Sequence, residues 1–309
     1  MPYVFLVNEM NKPICLKHRL FGVPKTEKAR SQLSSVQKGD QLFLYVYGSQ
    51  MLYGYYESIS NPFVEPHPEK GPWNHTPTDK KHGYYPYRVW IDFIQDYQRG
   101  IPLKKIEQLD VGLDRNLLLR KSVVYISDFQ ANIIVQLLKD FPVKKSKEFK
   151  PKNLDQYENL FAHPLEVSKE KEEVLQLLVQ KHFTKVENDL RLLSSYVNIE
   201  YGSFRGEIDI LGKDSKKNYV VVEIKLKNLT RSIWGQVFSY SNVIRNIYAK
   251  HEGVEVRSFV ICNGFNLKTL YSYPELKKLL KYENSLRVFK YNTDFKDEIS
   301  FQEVPVVIN

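Results

Sequence analysis

Cysteine is nearly missing from this chain, whose 309 residues hold two, Cys15 and Cys262. They lie far apart, and neither belongs to the paired spacing that holds zinc. A disulfide framework is not expected, and a reduced, cytoplasmic setting is. Long apolar runs are missing too. Nothing approaches the roughly 20 residues that cross a bilayer as a helix, so no membrane is expected among the partners. The opening MPYVFLVNEM has no basic stretch ahead of an extended apolar core, and it does not read as a secretory signal. No internal repeat is visible, and the first half holds no Gly-rich phosphate loop.

Positive charge and tyrosine are plentiful. The 45 lysines and arginines stand against 36 aspartates and glutamates, a formal net charge of +9, which favours a polyanionic partner. Among the 21 tyrosines are rings able to stack on bases, although most serve the core. A chain of this length usually divides into two domains. The stretch FPVKKSKEFKPKNLDQY is rich in lysine, holds two prolines and lacks apolar periodicity. It marks a linker at 142–157 between domains at 1–141 and 158–309. Ahead of it strands predominate, with a long Pro/Gly/His-rich loop from Asn61 to Tyr84 and a closing helix capped by Ser127, which predicts a small α+β barrel. The loop histidines His67, His75 and His82 read as solvated rather than metal-bound. Beyond the linker, helices near Val167–Phe183 (capped by Ser168) and Ser232–Lys250 alternate with strands, which predicts a mixed α/β sheet.

The most informative stretch is GEIDILGKDSKKNYVVVEIKLK, starting at Gly206. One apolar strand presents Asp209; after a polar turn, a second presents Glu223 and Lys225 two residues apart. Residues i and i+2 share a strand face, so Glu223 and Lys225 point one way while Val220, Val222, Ile224 and Leu226 point the other, into a core. If the runs pair across the turn, Asp209, Glu223 and Lys225 converge. Two carboxylates at one point repel unless a cation lies between them. Mg2+ (or Mn2+) suits Asp209 and Glu223 as metal ligands, since it takes oxygen ligands and keeps its waters. Such a metal activates water and clamps a phosphodiester oxygen, and Lys225 can hold the attacking water and offset developing charge. The alternative for the pair alone is a solvated edge. The apolar run from Tyr219 to Val222 argues instead for a buried central strand, where charges need a reason. Gln236 and Tyr240 share a helix face at i and i+4. Tyr240 reads as a packing residue, and Gln236 is harder to explain as core.

These residues resemble the PD-(D/E)xK nuclease superfamily, and more narrowly the NucS-type endonuclease catalytic domain. The matching pieces, in order, are Glu172 and Leu175 in an amphipathic helix, Glu187-Asn-Asp-Leu190, Gly206-Glu-Ile-Asp209, Val222-Glu-Ile-Lys225, and Gly235-Gln236 with Tyr240. The resemblance covers the C-terminal half and implies a restriction-endonuclease-like α/β fold. It assigns Gln236 to the catalytic face beside Asp209, Glu223 and Lys225. Glu172 is an additional acid near the metal, with Glu173 as its alternative after a slip of one residue.

The first half resembles the EVE domain, a relative of YTH and PUA-like barrels. The resemblance rests on Tyr3–Asn8, Phe21-Gly22, Val36-Gln-Lys-Gly-Asp40 with Leu42–Tyr47, Tyr53–Glu57, Trp73, Tyr87-Arg-Val-Trp90 and Ile101–Ile106. Relatives of this barrel hold a modified base between aromatic rings. By position that implies Trp73, Phe21 and Tyr47 as walls, Asn8 as reader of the polar edge, and Tyr84 and Tyr85 as neighbours. Phe21 and Tyr47 read equally well as core. A flipped base buries both faces by stacking and needs its polar edge hydrogen-bonded.

Taken together, the expectation is a modification-dependent DNA endonuclease acting in restriction, with double-stranded DNA as partner and a homodimer where both strands are cut. A mismatch- or branched-DNA repair endonuclease is one alternative. An RNA-binding protein with a non-catalytic nuclease fold is another.

Overall fold

Alternating apolar residues such as those of MLYGYYES, buried at every second position, set the character of the first part of the chain. A computed structural model describes residues 1–72, 84–118, 121–144, 149, 151, 158–160, 171–201, 204–227, 229, 232–264 and 286–305. It divides the chain into two units, Met1–Pro164 and Leu165–Asn309, each mixing helix and strand.

In the first unit the strands are β1 (Pro2–Val7), β2 (Leu20–Val23), β3 (Gln41–Val46), β4 (Met51–Ser58), β5 (Phe63–Val64), β6 (Tyr87–Phe93), β7 (Asp96–Tyr97), β8 (Ile101–Pro102), β9 (Val123–Tyr125), β10 (Val143–Lys144) and β11 (Glu158–Asn159). The helices are α1 (Asn11–His18), α2 (Glu27–Ser34), α3 (Leu103–Glu107), α4 (Arg115–Leu118) and α5 (Asp128–Leu138). The main sheet runs β11-β5-β6-β4-β3-β1-β9, with β2 also on β6 and β8 on β4. Its β1–β3 pair is parallel. Helix α5 begins as the sequence predicts: Ser127 Oγ accepts the Gln130 N–H, and the Gln130 side chain accepts the Ser127 N–H. It lays Ala131, Ile134 and Leu138 on a core with Phe43, Leu52 and Ile101.

The start of the segment expected as a linker, and the residues just after it, pair as strands. Val143–Lys144 pairs with Asp96–Tyr97, and Glu158–Asn159 pairs with Phe63–Val64. The Phe149 ring lies 5.7 Å from that of Trp90. Arg30 donates to the Leu160 carbonyl at 3.0 Å. Strand pairing by Val143–Lys144 and the Phe149 ring beside Trp90 thus tie the described residues of this segment to the first unit, and just beyond it β11 covers the open edge of β5. The division falls after 164.

The second unit contains α6 (Lys171–Lys181), α7 (Phe183–Val186), β12 (Arg191–Tyr201), β13 (Phe204–Lys213), β14 (Tyr219–Lys225), α8 (Ser232–Ile244), α9 (Lys250–Glu252), β15 (Val256–Cys262), β16 (Leu286–Thr293) and β17 (Ile299–Val304). A π turn at Arg245–Ala249 joins α8 to α9. The strands form one sheet in sequence order, parallel from β14 to β16 and antiparallel outside. The β14–α8–β15 crossover places α8 against β14 and β15. Every residue from Tyr219 to Ile224 is at most 1% exposed, so both faces of β14 are covered, as the apolar run from Tyr219 to Val222 predicts for a central strand. Gly253 ends the crossover helix at φ 67°, in the left-handed region. Among the described residues no helix is long and apolar enough to cross a membrane.

Candidate active site

Strands β13 and β14 pair from Lys213/Tyr219 to Ile210/Val222. Beyond that register the next residue of β13 is Asp209, and its side chain substitutes for the ladder: Oδ2 accepts the Ile224 N–H at 2.7 Å. On the other side, β12 pairs Ser195 with Ile210 and Val197 with Ile208, while the intervening Tyr196 takes a φ of 49°. The Asp209 carbonyl accepts from Gln176 Nε2 of α6 at 2.8 Å.

Glu223 and Lys225 share a face of β14, and Lys225 Nζ donates to Glu223 Oε1 at 2.7 Å. Glu223 is 1% exposed, and its second oxygen, Oε2, is buried without a hydrogen-bond partner among the described residues. Burial pushes the Glu223 carboxyl up to about 8, reinforced by the Asp209 charge and resisted by Lys225. Burial likewise raises Asp209 to about 6, against the opposing Ile224 hydrogen bond and Lys225 charge. Burial lowers the Lys225 ammonium, but its bond to Glu223 and the surrounding carboxylates outweigh that, and its pKa lies above the ordinary value. Glu172, in the first turn of α6, adds its charge to the field at all three groups. The centre is therefore short of positive charge.

Helix α8 closes one side. Gln236 Nε2 donates to the Tyr240 hydroxyl at 2.8 Å, and the same oxygen takes the Glu207 N–H. Burial, and behind it the charges of Glu223 and Asp209, raise the Tyr240 phenol. A Cβ on Gly206 would lie 2.5 Å from the Tyr240 ring, so glycine at this position lets the ring approach β13 closely. Tyr240, expected as a packing residue, also orients Gln236 through its hydroxyl. Glu187, part of the sequence resemblance, serves elsewhere. It pairs with Arg257, whose register partner is Val220, and with Arg287, whereas Glu223 pairs with Val260 further along β14.

The first unit treats its expected pocket residues unevenly. Trp73, His75 and His82 lie outside the described residues. His67 is exposed beside Glu69. Phe21, expected as a wall, stacks face to face on Phe5 at 4.0 Å and is 1% exposed, because β2 pairs with β6 and turns it into the core. Asn8 Oδ1 accepts the Asn11 N–H at 2.6 Å, which commits that oxygen to the start of α1. Tyr85 is buried, and its carbonyl accepts from Arg88 Nε at 2.8 Å. Tyr47 and Tyr84 are exposed rings.

Residues 1–112 match the family described as the Development and cell death domain. No curated protein matches the chain. Among solved structures it is similar to a repair endonuclease from Pyrococcus abyssi, with 21% identity over 40% of this chain and 48% of that one, at a TM-score of 0.30. A complex of EndoMS with double-stranded DNA matches at 19% identity over 48% and 50% of the two chains, also at 0.30. The human THYN1 protein, solved with 5-methylcytosine-containing DNA, matches at 15% identity over 46% of this chain and 99% of its own, at 0.34. The chain spans about half the length of the endonucleases it matches.

The donor set fits a divalent cation that keeps most of its own water. Among the described residues no three His, Cys, Asp or Glu side chains gather to hold a metal ion by themselves. What is present is one unpartnered buried carboxylate oxygen on Glu223 and a second raised carboxyl on Asp209. Mg2+ or Mn2+ held through one or two carboxylates matches that supply.

Proposed function

We propose that the second unit is a divalent-metal-dependent endonuclease acting on DNA. The observation that carries the reading is the buried Asp209–Glu223–Lys225 centre, with two raised carboxyls and a Glu223 oxygen left without a partner. Two buried carboxyls that share one lysine and leave an oxygen unpartnered are costly as pure structure. Asp209 and Glu223 would hold the metal, which supplies an activated water and a clamp on a phosphate oxygen. The Lys225 ammonium keeps its proton at neutral pH and faces the same point, where it holds the attacking water and offsets charge as the phosphorane-like transition state develops. Gln236, aimed by Tyr240, offers its carboxamide oxygen to that water or to the sugar–phosphate backbone.

The proposal for the first unit is that it reads a modified base. Its support is the ordered sequence resemblance to base-reading barrels and the exposed rings of Tyr47 and Tyr84. Cutting both strands takes two centres, so a two-fold dimer on DNA belongs to the same reading. The test is a panel of duplexes carrying modified cytosines or adenines, beside unmodified DNA and RNA. Retention is measured in EDTA and cleavage in Mg2+ or Mn2+. Preferential retention of one modified duplex, and cutting in metal alone, is expected. Preference for mismatched or branched duplexes moves the target to repair, and RNA retention without DNA cutting overturns the reading.

A further inference from the structure

Helix α6 buries an almost unbroken apolar run, Val174, Leu175, Leu177, Leu178 and Val179, and in its midst a carboxamide, Gln176, only 4% exposed. Leucine or methionine would fill that space without desolvating an amide, so the polar group calls for a partner. It has one at the nuclease centre: Nε2 bonds the main-chain carbonyl of Asp209 at 2.8 Å. Asp209 is thus held twice, by its side chain to Ile224 N–H and by its carbonyl to Gln176, at the place where the β13–β14 register ends. Gln176 also lies one helical turn from Glu172, at i and i+4 on one face. Fastening Gln176 to the Asp209 backbone therefore sets where Glu172 stands, and Glu172 contributes charge at Asp209, Glu223 and Lys225.

We infer that Gln176 is a positioning residue of the nuclease centre, which fixes the Asp209 carboxylate through its bond to the Asp209 carbonyl and holds α6 so that Glu172 adds its charge to the centre. The inference rests on the endonuclease reading above. The packing of α6 needs only an apolar side chain of this length; the carboxamide serves the geometry of the acids.

The experiment uses the full chain and two variants. Gln176→Met keeps length and loses the donor, and Gln176→Asn keeps the amide but is one methylene too short to reach. Melting temperature, duplex binding in EDTA, Mn2+ affinity by titration, and kcat and KM for duplex cleavage are measured for each. The expected result is duplex binding, KM and melting near wild type, with Mn2+ affinity and kcat each reduced about 10- to 100-fold, as for residues supporting metal ligands. Adding Glu172→Gln to Gln176→Met should then lower kcat by much less than the product of the two separate effects, because both act through one arrangement. Wild-type Mn2+ affinity and kcat in both variants overturn the inference. So does a parallel fall of melting temperature, duplex binding and kcat, which assigns Gln176 to the fold. A wild-type chain that neither binds Mn2+ nor cuts DNA overturns the endonuclease reading beneath it, a result distinct from unaltered variants of an active enzyme.

Discussion

Glu223 is the residue at which stability and chemistry conflict. Buried beside Asp209 with one oxygen unpartnered, it raises the energy of the metal-free protein. Glu223→Gln keeps its shape and removes the charge. The expected outcome is a higher melting temperature in EDTA together with loss of cleavage; a lower one would show that the Lys225 pair outweighs the repulsion. The sign of the pH dependence follows. Both carboxyls lie above their ordinary values in the folded state, about 6 and about 8, so between pH 4 and 8 the native state binds protons that the unfolded chain has released. Stability contributed by these groups is present at low pH and is lost as pH rises through the folded values. Melts of the metal-free protein from pH 5 to 8, corrected with the Asp209→Asn, Glu223→Gln double variant, should show this decline. Added Mg2+ should remove most of it, since metal binding displaces the same protons.

Among the elements, β13 and α8 are joined by one absent side chain. Gly206→Ala drives a methyl group into the Tyr240 ring and should cost roughly 1–3 kcal/mol, the range for overpacking. Denaturant unfolding reads that loss, and an unchanged midpoint would mean the ring moves freely aside. How much of this was legible follows from the kind of signal. The strand carrying Glu223 announces itself by an apolar run, and α5 by its Ser127 cap and stripe. Helix α1, NKPICLKH, carries no apolar stripe, so periodicity passes over it. The bond from Gln176 to a backbone carbonyl has no sequence signature beyond a polar residue in a buried run. The family resemblance left Phe21 open between wall and core, and strand pairing places it in the core.

Across the whole molecule, the lysine-rich stretch read as a linker carries strand pairing at its start, which composition does not announce because it reports solvation and says little about edge pairing. Val143–Lys144 and Glu158–Asn159 add strands to the first unit. A fragment of residues 1–164 should therefore melt higher than one of 1–141, by scanning calorimetry; equal melting would make those strands incidental. Both fragments retain the expected base-reading residues, so their binding to modified duplexes compares folds and not sites. The central claim is that the Asp209–Glu223–Lys225 centre hydrolyses DNA with a divalent metal, and its most direct test is cleavage of modified, supercoiled DNA by wild type and Asp209→Asn in Mn2+ and in EDTA. The account predicts cutting by the wild type in Mn2+ alone, with Asp209→Asn folded, bound to DNA and inactive. Equal cutting by Asp209→Asn, or cutting that persists in EDTA, would contradict it.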